Sequence, residues 1–289
     1  MGSISRCAAA KTRQGTCADD TSKRGAISIC SLPHYYDFNS AKKDAGSGLE
    51  PDPGYFLPAG SDQMKKPVCA VIGIGPKNGA SFARAFHAAG YAVAMLSRST
   101  DLSSALAREL GDAKAYACDA SKEADIVQAL AAVVDELGAP EVLVYNAGSG
   151  SWKGFDVTTV DDLERSLRIN AVGLLCAAQQ VLPAMRAAKH GSIVVVGATA
   201  SLRGKPMTTG FAAGKAAQRS LAQSMARQFW PEGVHVSLMI IDGSIGEVGV
   251  EGGKKLDPRD IAKAAVALTQ QPASAWSFEV DVRPQQESW

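Results

Sequence analysis

Three glycines and a lysine carry the first recognisable chemistry of this chain. They stand in Gly73-Ile74-Gly75-Pro76-Lys77-Asn78-Gly79, between the apolar run Val68-Cys69-Ala70-Val71-Ile72 and the segment Ala80-Ser81-Phe82-Ala83-Arg84-Ala85-Phe86. Phe82, Phe86 and Ala89 recur at helical spacing until Gly90, so the stretch predicts strand, turn and helix. A turn without Cβ atoms lets backbone N–H groups approach a phosphate, and a helix N-terminus adds partial positive charge there. Tight turns also use glycine for steric reasons alone, so the spacing leaves a dinucleotide site and a plain turn both open. The four histidines (His34, His87, His190, His235) fall on separate predicted elements without a carboxylate pattern, which argues against a histidine catalyst. The six cysteines form no CxxC pair, so no metal site is expected and reduced, buried thiols suit them better than disulfides.

The elements that must position such a turn follow in order. Residues 92–96, 113–118, 141–145, 192–196, 234–241 and 277–282 read as further strands. Helical patterns cover 102–110, 121–137 (with Ser121 as N-cap), 160–188, 210–229 and 258–269. Continuous Val/Ile/Leu runs are buried on both faces, and strand–helix alternation gives a parallel sheet with ligands at the strands' carboxyl ends. The fold class is therefore α/β, a single Rossmann-type doubly wound parallel sheet with helices on both faces, over residues 65–289.

Residues 1–64 differ. They are rich in Ser, Ala, Gly, Lys and Arg, lack periodicity, and carry Pro51, Pro53 and Pro58 near their end. They read as a flexible extension, with a faint organelle transit signal in residues 1–30 as the alternative, so the expected location is the cytoplasm or an organelle. The net charge of +1 gives no reason to expect nucleic acid, and no apolar run reaches the roughly 18 residues of a membrane span.

Several landmarks now stand together: Asp119 after the third strand, Asn146-Ala147-Gly148 after the fourth, Asn170 in Arg168-Ile169-Asn170-Ala171-Val172-Gly173, Lys215, and Asp242-Gly243-Ser244-Ile245 after the sixth strand. With them the chain resembles the short-chain dehydrogenase/reductase family over nearly all of residues 67–289. The resemblance implies hydride transfer between a nicotinamide cofactor and a small carbonyl or alcohol substrate, in a homodimer or homotetramer. It places Gly73, Gly75, Lys77 and Gly79 at the diphosphate, Asp119 at the adenine, and Asn146, Ala147 and Gly148 beside the adenosine ribose. It puts the backbone of Ile245 at the nicotinamide carboxamide. NAD-preferring enzymes usually offer a carboxylate after the second strand. This chain has Ser97-Arg98-Ser99, and the Arg98 guanidinium suits a 2′-phosphate, so NADP is expected over NAD.

The departures are as informative. Lys77 stands on the family's second glycine and Ile72 on its usual threonine. The YxxxK pair reads Phe211-Ala212-Ala213-Gly214-Lys215, and the family serine falls on Ala198, with Thr199 and Ser201 beside it. Phenylalanine has no ionisable proton, so carbonyl protonation cannot run through residue 211. Lys215, Asn170 and Thr199 are the expected catalytic residues, with Thr208 and Thr209 as further hydroxyls within reach. The segment Gly246–Gly253 is expected to form a lid, and Ser149–Phe155 with Trp152 the opposite wall. A different class of function stays open, that of a catalytically silent family member acting as a nucleotide sensor or structural subunit.

Overall fold

Uninterrupted runs of Val, Ile and Leu have no polar side to turn toward water, and here they become strands covered on both faces. A computed structural model describes residues 65–149, 152–246 and 255–287. The extension through residue 64 and nearly all of the expected lid, including Glu247, lie outside the described residues.

The sheet begins with β1 (Val68–Ile72), β2 (Ala92–Ser97), β3 (Ala113–Ala117) and β4 (Pro140–Tyr145). It continues with β5 (Gly191–Ala198), β6 (Val234–Ile241) and a last strand, β9 (Glu279–Val282). The spatial order is β3-β2-β1-β4-β5-β6-β9, and every pairing is parallel. Chain order reverses between β1 and β4, the point at which such sheets open a ligand crevice. A separate two-stranded pair, β7 (Ser244–Ile245) and β8 (Lys255–Leu256), follows β6.

Helices α1 (Asn78–Ala88), α2 (Asp101–Leu110) and α7 (Pro258–Thr269) cover one face. Helices α3 (Glu123–Glu136), α5 (Gly173–Ala188) and α6 (Thr209–Phe229) cover the other. Alternate residues of one strand serve opposite layers. Ile72 and Tyr145 pack among Leu174, Val181 and Phe229, whereas Val71 and Val144 pack among Phe82, Phe86 and Ile261.

Two expectations about helices are corrected. Helix α3 starts at Glu123 and Ser121 does not cap it; the Ser121 hydroxyl and backbone N–H both donate to the Asp119 carboxylate, at 2.8 and 3.0 Å. The helix expected over 160–188 is three pieces: α4 (Val160–Leu167), a π-helical turn over Arg168–Val172, and α5. The sequence period is the same throughout, so the break is tertiary in origin. Tyr145 is fully buried at the end of β4, and its hydroxyl donates to the Ile169 carbonyl at 2.5 Å. A buried hydroxyl must find an acceptor, and a π turn is a local widening that often accompanies a functional position. Asn170 lies in this turn.

Gly173 makes this packing feasible. A Cβ there would lie 2.3 Å from the Tyr145 hydroxyl oxygen and 2.4 Å from the Ala120 carbonyl oxygen. Gly173→Ala is expected to lower stability by about 1–3 kcal/mol, since neither group can retreat without repacking the core. Gly75→Ala, whose Cβ would meet nothing within 4 Å, is the control, with a change below about 0.5 kcal/mol. Urea unfolding of both variants measures the contrast.

Candidate functional site

The glycine turn lies at the carboxyl end of β1. Its Gly73 adopts φ +101°, with its backbone N–H donating to the Leu96 carbonyl at 2.9 Å. A Cβ on Gly73 would sit 2.5 Å from the Ala147 backbone nitrogen, so this position admits only glycine. The Asn146 amide donates to the Gly73 carbonyl at 2.7 Å, fastening the end of β4 to the turn. Helix α1 then starts with no side-chain cap and no acidic residue in its first turn. Its first turn therefore brings no anion of its own to compete for the N-terminal N–H groups and the dipole.

Two cavities flank the turn. The first, about 530 Å³, is lined by Gly73, Gly75, Arg98, Asp119, Asn146, Ala147 and Gly148, gathering seven expected residues from four strand ends. Asp119 both lines this cavity and holds its own loop; the hydrogen bonds from Ser121 keep its carboxyl below the usual range. Gly79 is buried beneath the turn rather than lining it.

The second cavity, about 660 Å³, brings together Lys77, Thr199, Lys215 and Ile245 with Asn78, Trp152, Ala198 and Phe211. The Lys77 ammonium, expected at the diphosphate, donates instead to the Ile245 carbonyl at 2.7 Å, across 168 residues of sequence. The Phe211 ring packs on Trp152 with centroids 5.5 Å apart. Thr208 also lines the cavity, but its hydroxyl is engaged with the backbone N–H and carbonyl of Lys205 at 2.8 and 3.0 Å. That excludes it as an idle hydroxyl near residue 211.

Lys215 lies four residues after Phe211 on α6, one helical turn away on the same face. It is 5% exposed and donates to the Val196 carbonyl at 2.8 Å and to Gln218 Oε1 at 2.9 Å. Burial without a carboxylate partner lowers its pKa to about 7. Asn170 is fully buried, and its amide nitrogen donates to the Ser166 carbonyl at 2.9 Å and to the hydroxyls of Ser149 and Ser166 at 3.2 and 3.3 Å. Its Oδ1 accepts no hydrogen bond among the described residues. A Cβ built on Gly148 would lie 3.4 Å from that Oδ1 and 3.5 Å from Lys215 Nζ. One uncommitted acceptor and one low-pKa amine therefore converge beside Gly148.

Sequence reasoning missed Gln218, Asn78 and Ser166, and gave Ser149 only as part of a substrate wall. Gln218 stands three residues after Lys215 and is 0% exposed; a polar side chain on the lysine's own helical face was the available signal. Asn78 opens α1 with a buried Oδ1 that has no partner among the described residues. Among the described residues no group of three His, Cys, Asp or Glu side chains stands close enough to hold a metal.

Comparison with known proteins gives this geometry a setting. The sequence profile of the short chain dehydrogenase family matches residues 68–244. A 4-formylbenzenesulfonate dehydrogenase of Comamonas testosteroni is 30% identical over 237 residues, 73% of this chain and 93% of that protein. A protein of Xanthobacter autotrophicus named inactive 2-(S)-hydroxypropyl-CoM dehydrogenase 2 is 30% identical over 189 residues, 63% of this chain and 82% of its own. The crystal structure of a metagenomic short-chain oxidoreductase in complex with NADP superposes with a TM-score of 0.68 at 27% identity, covering 76% of this chain and 97% of that one. Relatives named as oxidoreductases, a seven-stranded parallel sheet with its crevice at the β1/β4 reversal, and a profile match spanning the glycine turn through β6 lead to one assignment: the chain belongs to the short-chain dehydrogenase/reductase family.

Proposed function

We propose that this protein is an NADP(H)-dependent oxidoreductase acting on a small carbonyl or alcohol substrate, with a proton donor other than residue 211. The observation that carries the reading is the convergence of Lys215 Nζ and Asn170 Oδ1 beside Gly148, with Gly148 lining the first cavity and Lys215 the second. The cradle fits a dinucleotide: the turn leaves open space at Gly75, α1 starts uncapped, and Arg98 lines the first cavity without a carboxylate on its own strand end. When bound, NADP(H) supplies or takes up the hydride.

The chain's own residues then divide the work. Arg98 holds the 2′-phosphate, the turn holds the diphosphate with Lys77 drawn away from the Ile245 carbonyl, Asp119 meets the adenine, and Asn146, Ala147 and Gly148 border its ribose. Lys215 orders the nicotinamide ribose, and the Ile245 backbone receives the carboxamide. Asn170 Oδ1 accepts a hydrogen bond from a water that Lys215 also contacts, so Lys215 Nζ passes its proton outward through that water. A pKa near 7 suits this exchange at neutral pH. The Thr199 hydroxyl lines the second cavity, is bonded to no described residue, and donates to the substrate oxygen in this reading. Apolar side chains left exposed on α4, the π turn and α5 (Val160, Val172 and Leu175) support a homo-oligomer. No described helix is long and apolar enough to cross a membrane.

The second reading, a silent sensing or structural subunit, is favoured by Phe211 and Ala198, which leave the usual proton-donor positions without a hydroxyl. NADPH titration followed by NADPH consumption across ketones, aldehydes and quinones separates the two: binding with turnover supports the enzyme, binding without turnover the sensor. Arg98→Asp is expected to weaken NADPH binding about 10- to 100-fold, the value of a charge-assisted hydrogen bond, and to leave NADH binding within about threefold. Equal losses for both cofactors would remove Arg98 from the 2′-phosphate.

A further inference from the structure

The second cavity holds more positive charge than its cofactor role requires. Arg203 and Lys205 both line it, on the loop between β5 and α6. Neither makes an ion pair or side-chain hydrogen bond with any described residue. Elsewhere on the surface, Lys66, Arg84, Lys114, Lys153, Arg186 and Arg219 each pair with a carboxylate. The acids among the described lining residues do not compensate: Asp242 is buried against Arg283, which leaves Glu287 as the one other described carboxylate.

The loop that carries the two cations is braced. The Arg203 backbone N–H donates to the Thr199 carbonyl at 3.1 Å. The Thr208 hydroxyl closes on the Lys205 N–H and carbonyl, and the Thr208 N–H donates to that carbonyl at 2.9 Å. The two cations thus stand on a backbone turn held at both ends, in the cavity that Trp152 and Phe211 also line. The two groups lie outside the first cavity, where Arg98 stands.

From this arrangement we infer that the preferred substrate is a carbonyl compound, or the corresponding alcohol, with an apolar body and an anionic group. Trp152 and Phe211 contact the body, while Arg203 and Lys205 bind the anion. A planar guanidinium matches two oxygens of a carboxylate or phosphate, and the adjacent ammonium adds a point charge. The inference rests on the oxidoreductase reading above for the carbonyl, and on these two cations for the anion.

The experiment compares three ketones of one shape on the full-length chain, with binding measured by calorimetry in the presence of NADP. They are 4-acetylbenzoate, 4-acetylphenyl phosphate and the uncharged 4-methylacetophenone. Binding of one anionic ketone about tenfold or more tighter than of the neutral one is expected, with the tighter of the two naming the anionic group. The preference should shrink with added salt and fall to about threefold or less in the Arg203→Gln/Lys205→Gln double variant. Equal binding of charged and neutral ketones by the wild type, or a preference that survives the double substitution, overturns the inference. NADPH affinity, measured alongside in both proteins, keeps the two readings apart. Failure to bind NADPH defeats the cofactor reading; the same ketone series without cofactor then decides the anion site, by the same two outcomes.

Discussion

Phe211→Tyr is expected to raise NADPH-dependent reduction of a carbonyl substrate by about 10²- to 10⁴-fold, the usual contribution of a positioned general acid. The substitution adds one oxygen at the ring edge. It leaves the helix propensity and the packing on Trp152 nearly untouched, so a gain can be assigned to the hydroxyl. The ring lies one turn before Lys215 on α6, and both line the same cavity. A phenol there would feel an amine with a pKa near 7, which when protonated favours the phenolate and eases proton exchange. The wild type should retain a slower reaction, because holding the two reactants in register supplies large factors without any acid. A variant no faster than a turning-over wild type would mean that the existing donor already suffices, and Thr199→Val would then be the next measurement. Turnover confined to the tyrosine variant would favour the sensing or structural reading.

Lys215→Met should reduce turnover at least as severely, by about 10²-fold or more, and should also change how stability depends on pH. In the fold the Lys215 amine has a pKa of about 7, against an ordinary lysine value of 10.5. Between those values the unfolded chain binds the extra proton and the folded chain does not, so folding becomes more favourable as pH rises. The slope approaches about 1.4 kcal/mol per pH unit at most. Below pH 7 both states are protonated and the burial penalty is fully present; it is relieved progressively toward pH 10.5. The methionine variant lacks this term. It also leaves the Val196 carbonyl and Gln218 Oε1 without their donor, at about 1–3 kcal/mol each, but that cost does not vary with pH. Urea unfolding of both proteins at pH 6.5 and 9 therefore tests a difference of slopes rather than of levels. Parallel slopes would show that the amine titrates as it does in water.

How far the site could be read in advance depended on whether local or distant groups decide each position. The strands were legible because a run such as Ile193-Val194-Val195-Val196 in β5 is apolar on both sides, and only a covered sheet tolerates that. The glycine turn and Asn146 were legible because backbone geometry at Gly73 admits one residue type. The π turn was not, since Arg168–Val172 carries the same helical spacing as its neighbours and the break answers to Tyr145, 24 residues before Ile169. Ser121 looked like a cap because its type and place suit one, yet Asp119 captures both of its donors. Lys77 is the extreme case: its partner Ile245 is 168 residues away, and a carbonyl acceptor carries no residue-type signature.

That last contact makes the two ends of the crevice share a single resource. The ammonium that bridges the glycine turn to Ile245 is also the turn's own side-chain cation. Any anion that draws it inward loosens its hold on the strand beyond β6, and any group that displaces the Ile245 carbonyl frees it for the anion. Such a trade is reciprocal by thermodynamic necessity. Under the proposed cofactor placement, the phosphate end and the carboxamide end of the ligand would be energetically coupled through one flexible side chain, with no movement of the sheet beneath them.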